Sequence, residues 1–183
     1  SFAAMGAVTN GMQGDRDGNL AKAVFGKLEA HGEAGPFKAL AGVSSYNDAS
    51  SVEKLNLLGG YGAVTIMDVL TVTGDVERIQ GNSSSMSVSS DLNQRNASGT
   101  DLKQLAVMIE ADYPLTQGID LKFMYDFFDP DTKTKSGTAV RYSGGVEFMP
   151  VSGVEVRPLY RYTKDSILNR NVSELQILFH LYL

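Results

Sequence analysis

Apolar and polar residues alternate with a period of two along most of this chain, which puts successive side chains on opposite faces of extended strands. Leu70, Val72, Gly74 and Val76 share one face, with Thr71, Thr73, Asp75 and Glu77 on the other. Between Leu102 and Tyr113 the faces are Leu105, Val107, Ile109, Ala111 and Tyr113 against Gln104, Ala106, Met108, Glu110 and Asp112. Ile119 to Phe128 sets Ile119, Leu121, Phe123, Tyr125 and Phe127 against Asp120, Lys122, Met124 and Asp126. Val140 to Phe148, Val154 to Tyr162 and Glu174 to Leu183 follow the same rule, and weaker alternation covers Phe2–Thr9, Ala21–His31, Phe37–Tyr46 and Leu55–Met67. The pattern predicts ten strands and no amphipathic helix.

The connections sort into two classes that alternate. Short ones are expected at Gly32–Pro36, Met67–Asp68, Pro114–Gly118 and Pro150–Gly153. Long polar ones are expected at Asn10–Asn19, Asn47–Lys54, Gly81–Asp101, Asp129–Thr138 and Lys164–Val172. An up-and-down sheet with tight turns at one end and long loops at the other matches a transmembrane β-barrel, whose periplasmic turns are short and extracellular loops long. On that reading Gly81–Asp101 lies outside the cell and Pro150–Gly153 in the periplasm.

Composition narrows the choice. The chain has 183 residues, a mean hydropathy of −0.11 and no cysteine. That length suits one domain, residues 1–183, and no run approaches the ~18 apolar residues of a membrane-spanning helix. Barrel strands escape that criterion because their lumen-facing residues dilute the hydropathy. Without cysteine there are no disulfides or thiolate metal sites, and with only His31 and His180 a histidine-rich metal site is not expected. A net charge of −5 argues against a nucleic-acid partner, since phosphate binding needs a basic face.

A soluble sheet also alternates apolar and polar residues. Charges deep in the strands favour the membrane barrel, because a wet lumen accepts them and a dry core does not. The expected lumen-lining residues are Asp75, Glu77, Glu110, Asp112, Lys122, Arg141, Glu155, Arg157, Arg161 and His180. On the opposite face Tyr113, Phe127, Tyr142, Phe148 and Tyr162 lie toward strand ends, as interfacial girdles do. Pro158, on the lipid-facing parity, requires either a bulge at Arg157–Leu159 or a position whose amide stays out of the ladder.

Several pieces together resemble the C-terminal portion of Gram-negative outer-membrane porins of the phosphate-selective type. They are Val8-Thr9-Asn10-Gly11, Tyr125-Asp126-Phe127-Phe128-Asp129-Pro130-Asp131, Arg141-Tyr142-Ser143-Gly144-Gly145-Val146-Glu147-Phe148 and the final hairpin. The resemblance implies an all-β, antiparallel up-and-down transmembrane barrel. Such porins have about sixteen or more strands, so the ten visible here are either a complete small barrel or the C-terminal part of a larger one. Leu183 stands where these barrels usually end in an aromatic residue, and basic residues here are mixed with carboxylates, so phosphate selectivity is not carried over.

Other motifs reduce to structure. Asp15-Arg16-Asp17-Gly18-Asn19 opens like a calcium loop, but Leu20 and Gly26 stand where glycine and glutamate are needed. Asp129-Pro130-Asp131 reads as a turn, and Gly59-Gly60-Tyr61-Gly62 lacks the Lys-Ser/Thr of a phosphate loop. The Asn-X-Ser triplets at Asn82, Asn96 and Asn171 read as surface loop. The expectation is a non-enzymatic porin-like channel of the bacterial outer membrane, passing small hydrophilic solutes or ions. A non-conducting barrel that anchors a partner or displays its loops is the alternative. No cofactor or metal is expected. The partners are outer-membrane lipid and the solutes, with a homo-oligomer or larger membrane complex left open.

Overall fold

The computed structural model describes residues 1–9, 22–49, 54–81, 102–133 and 137–182. They form ten strands: β1 (Phe2–Thr9), β2 (Ala23–Ala34), β3 (Phe37–Ala49), β4 (Lys54–Ile66), β5 (Leu70–Gly81), β6 (Leu102–Thr116), β7 (Ile119–Asp129), β8 (Ala139–Val151), β9 (Val154–Asp165) and β10 (Arg170–Leu181). Each pairs antiparallel with the next in chain order, giving one up-and-down sheet. The sheet is open: among the described residues β1 pairs only with β2, and β10 only with β9. Beyond β1, the strands run 11 to 15 residues, more than the roughly 9–11 a tilted strand needs to cross a bilayer.

Directly opposed residues in an antiparallel ladder share a face, so the register fixes two surfaces. One row runs through Ala41, Gly62, Gly74, Ile109, Tyr125, Tyr142 and Tyr162. The next, facing the other way, runs through Gly42, Tyr61, Asp75, Met108, Asp126, Arg141 and Thr163. Burial is inverted relative to a water-soluble sheet. Leu175 (71%), Phe179 (68%) and Phe123 (59%) of the apolar face are exposed, while Lys122, Glu147 and Glu155 of the polar face are buried. Charged side chains that converge and shield one another, behind a bare apolar outer surface, are the arrangement that lipid outside and polar contents inside demand.

The apolar face carries its aromatic residues toward both rims. Tyr125, Tyr142 and Tyr162 lie side by side near the long-connection end, with the first two rings 5.4 Å apart. Phe37, Tyr113 and Phe148 lie near the short-turn end. Between them the face is a test of its environment. In lipid vesicles, Phe123→Arg is expected to cost about 2–4 kcal/mol, the penalty for a cation on the lipid face of a barrel near mid-membrane. The neighbouring change Met124→Arg, opposite Glu110 on the polar face, is expected to cost under about 1 kcal/mol. Equilibrium urea unfolding in vesicles measures both, and equal costs would contradict the two-faced assignment.

Turn chemistry explains the short connections. Gly35, Gly118 and Gly153 take left-handed φ values of 58°, 75° and 83°, which tight hairpins require and glycine supplies without strain. At Met67 and Asp68 the same conformation is held by non-glycine residues, so Met67 belongs to the turn and not to the strand expected to contain it. Backbone bonds from Met149 N to Gly118 O (2.8 Å) and from Tyr182 N to Gly153 O (2.9 Å) stitch successive turns along this rim.

At the opposite rim one expectation is corrected. The long loop placed at Lys164–Val172 is a four-residue turn, because β9 continues to Asp165 and β10 begins at Arg170. Asp165 Oδ1 accepts the amides of Ile167 (3.0 Å) and Leu168 (2.9 Å), replacing ladder bonds with an Asx-type cap, and Asn169 closes the turn at φ 50°. The Asn10–Asn19 segment, Asn82, Asn96 and nearly all of Gly81–Asp101 lie outside the described residues.

The sheet bulges at two prolines, neither of them Pro158. Register slips by one between Pro114 and Thr116 in β6, and between Phe148 and Val151, around Pro150, in β8, both beside the short turns. Pro158 keeps its place opposite Ile177 in an unshifted β9–β10 ladder. On its other side, the β8–β9 pairing lapses between Gly145–Leu159 and Phe148–Val156 and resumes in the same register. The missing proline amide is thus absorbed by a gap in one ladder, the second of the two expected solutions. Arg157 and Arg161 accordingly stay on one face.

Candidate pore-lining charge network

Lys122 is the hub of the polar face. β7 places it directly opposite Asp112 of β6, and its Nζ lies 2.7 Å from Asp112, 3.1 Å from Glu110 and 3.3 Å from Glu147 of β8. Glu147 is shared with Arg157 of β9, whose guanidinium also reaches Glu155 at 2.8 Å. Glu155 sits opposite His180 of β10, 3.3 Å from its Nδ1, and accepts the Tyr182 hydroxyl at 2.5 Å. One ionic chain therefore crosses five strands, from Glu110 to His180. Its four carboxylates against two fixed cations leave it formally two charges negative with His180 neutral.

Buried ions are tolerated only when paired, which accounts for the alternation of sign along this chain. Lys122 and Glu147 are each about 8% exposed and Glu155 2%, and every one of them is held by opposite charge. Leu159, only 1% exposed, lies on the same face directly opposite Gly145. A side chain at Gly145 would run into the Pro158 carbonyl and Leu159, so the glycine admits the close approach at the ladder gap.

Arg141 and Arg161 lie nearer the long-connection rim. Arg141 Nε bonds Asp126 Oδ2 at 2.8 Å across the β7–β8 ladder, and Arg161 is 3.9 Å from Glu174 of β10. Asp75 and Glu77 share the polar face, opposite Tyr61 and Gly59, but make no ion pair with any described residue. They are not brought against Lys122, Arg157 or Arg161. His180 stands one residue from the end of β10, close to the short-turn rim.

A second network occupies β2 and β4. Glu29 accepts the Tyr61 hydroxyl at 2.7 Å and is held by Lys27 at 2.9 Å and His31 at 2.6 Å, while Lys27 lies over the Tyr61 ring, 5.0 Å from its centroid. Tyr61 reaches two strands across because its ring lies on Gly42, where any side chain would collide with it. Of the residues in these networks, Glu147, Asp126, Glu174, Lys27 and Glu29 were not singled out from sequence as candidates. Their parity in strands already marked them. Tyr61 could be recognised only by its position over a glycine in the neighbouring strand.

Compared by sequence, the chain matches no known family profile and no curated protein. Compared by structure, it resembles porins. A porin refined at 1.8 Å superposes with a TM-score of 0.63 at 12% identity, over 99% of this chain and 58% of its own. The outer membrane channel DcaP of Acinetobacter baumannii gives 0.56 at 13% identity, over 86% of this chain and 49% of its own. An anion-selective porin from Comamonas acidovorans gives 0.53 at 14% identity, over 79% and 39%. The chain thus spans from about two fifths to less than three fifths of the length of these proteins. Nothing in these likenesses singles out the phosphate-selective class. In architecture this protein is an antiparallel, up-and-down sheet of the kind that porin barrels are built from.

Proposed function

We propose that these strands form wall of a channel in the bacterial outer membrane, through which small hydrophilic solutes or ions diffuse passively. The observation that carries this reading is the ionic chain from Glu110 to His180 on one face of a sheet whose other face is bare and apolar. Charged groups need water or each other, and a bilayer supplies water only inside a lumen. Asp75 and Glu77, with no ion pair among the described residues, would present their charge to the solute path, and the negative balance of the main network would favour cations. The proposed role is non-enzymatic and needs no cofactor. Both histidines are engaged by carboxylates, His31 with Glu29 and His180 with Glu155.

The free edges of β1 and β10 carry unpaired backbone groups that hydrocarbon does not tolerate, so they must pair with each other or with further strands. Burial of Lys122, Glu147 and Glu155 favours a second reading, a filled barrel that conducts nothing and serves to anchor a partner. Reconstitution of the full chain in planar bilayers separates the two. Discrete conductance steps with a reversal potential displaced toward cations are expected. A protein that inserts but never conducts would leave only the scaffold reading.

A further inference from the structure

We infer that Ser143, Arg161, Glu174 and Gln176 form a subsite on the polar face for zwitterionic solutes of the α-amino acid class. The inference rests on the reading of that face as the one in contact with water and solute, and deepens the channel role by naming a solute. The register gathers the four residues. Arg161 of β9 lies directly between Ser143 of β8 and Glu174 of β10, and Gln176 follows Glu174 by two residues on the same face. Adjacent strands are about 4.8 Å apart, so the set spans two strand spacings, the width of one small solute.

Two observations show that the hydrogen bonding here is incomplete. Buried polar atoms in folded proteins are nearly always bonded. Ser143 is only 7% exposed, yet its Oγ is buried without a partner among the described residues, and so are Arg161 Nε and Gln176 Oε1. The second observation separates Arg161 from the other cations of the face. Lys27, Lys38, Lys122, Arg141 and Arg157 each have a carboxylate oxygen at 2.9 Å or closer. The Arg161 guanidinium has only Glu174, at 3.9 Å, outside hydrogen-bond reach, and the Glu174 side chain is 53% exposed. These two charges face each other without bonding.

Their distribution selects the ligand. Donors lie on the β8–β9 side, in the Ser143 hydroxyl and the Arg161 guanidinium, and acceptors on the β10 side, in Glu174 and the Gln176 carbonyl. A simple anion drawn to Arg161 is repelled by Glu174, and a simple cation drawn to Glu174 is repelled by Arg161. A solute with both charges on one carbon satisfies both halves. Its carboxylate accepts from Arg161 and Ser143, and its ammonium donates to Glu174 and Gln176.

The probe is L-alanine, with propionate and ethylamine as its single-charge counterparts, each titrated into the full chain in detergent micelles and followed by amide shifts in NMR spectra. Alanine is expected to bind about tenfold more tightly than either counterpart. R161Q and E174Q should each lose about tenfold in alanine affinity, and S143A about threefold. The double variant R161Q/E174Q keeps the local charge balance, so a wild-type spectrum with alanine binding lost is the expected result. Unchanged alanine binding in that variant would overturn the proposal, as would propionate or ethylamine binding as tightly as alanine. Absence of alanine binding to wild type would overturn it too, leaving the three unpartnered atoms to water. Conductance in planar bilayers is scored separately. A chain that conducts without preferring alanine sinks this inference alone, whereas one that binds alanine and never conducts sinks the channel reading and keeps the subsite.

Discussion

Lys122→Met will destabilise the folded sheet by on the order of 3 kcal/mol and displace the reversal potential of the proposed channel toward cations. Methionine keeps the stem's volume and removes the charge, so the loss reports electrostatics rather than packing. Three carboxylates converge on Nζ within 3.3 Å, from strands on both sides of β7. Without the ammonium, Glu110 and Asp112 are left as half-buried like charges side by side, and buried Glu147 retains only Arg157. Removing one partner from such a cluster costs more than the cluster contributes as a whole, because the remaining charge stays desolvated. The triple change Lys122→Met, Glu110→Gln, Asp112→Asn should therefore recover most of the loss. Urea unfolding in vesicles and bilayer reversal potentials measure the two effects. An unchanged unfolding midpoint in the single variant would show that the three carboxylates are solvated and not held by Lys122.

Gly145→Val is expected to cost a similar amount, on the order of 3 kcal/mol, for a different reason. The added side chain meets the Pro158 carbonyl and the Leu159 backbone and side chain, so no rotamer relieves it. The strain falls on the β8–β9 seam where pairing already lapses beside Pro158. Pro158→Val should make that seam regular by restoring an amide donor, and combining the two changes should not be additive, because both act on the same contact. Hydrogen exchange of the β8 and β9 amides, read beside the unfolding midpoint, checks where the damage lies. A Gly145→Val protein with wild-type stability would mean that the strands do not approach this closely.

Much of the sheet was legible because strand parity is a local property. All ten strands, their faces, and the polar placement of Glu110, Asp112, Lys122, Arg157 and Arg161 follow from alternation over a few residues. Strand ends were less legible. Asp165 caps a four-residue turn by bonding Ile167 and Leu168, and the polar run from Lys164 to Val172 looks the same whether it loops or turns tightly. The bulges were also hidden. From sequence Pro114 and Pro150 open short connections, whereas in the fold they lie within β6 and β8, beside the turns, where an extra residue can be expelled without disturbing the rest of the ladder.

By itself the sequence determined that this chain makes strands with one apolar and one charged face, since that is what a period of two means, and its short connections set successive strands antiparallel. Which charges meet was decided only by the tertiary structure. Glu110 and Glu155 belong to one ionic chain although 45 positions separate them, because cross-strand register, and not distance along the polypeptide, brings β6 to β9 into step. Asp75 and Glu77 have the same residue types and face as Glu110 and Asp112, but their neighbours are Tyr61, Gly59, Met108 and Ala106, so they gain no cation among the described residues. Parity is written in each strand alone, whereas pairing is a property of two strands at once.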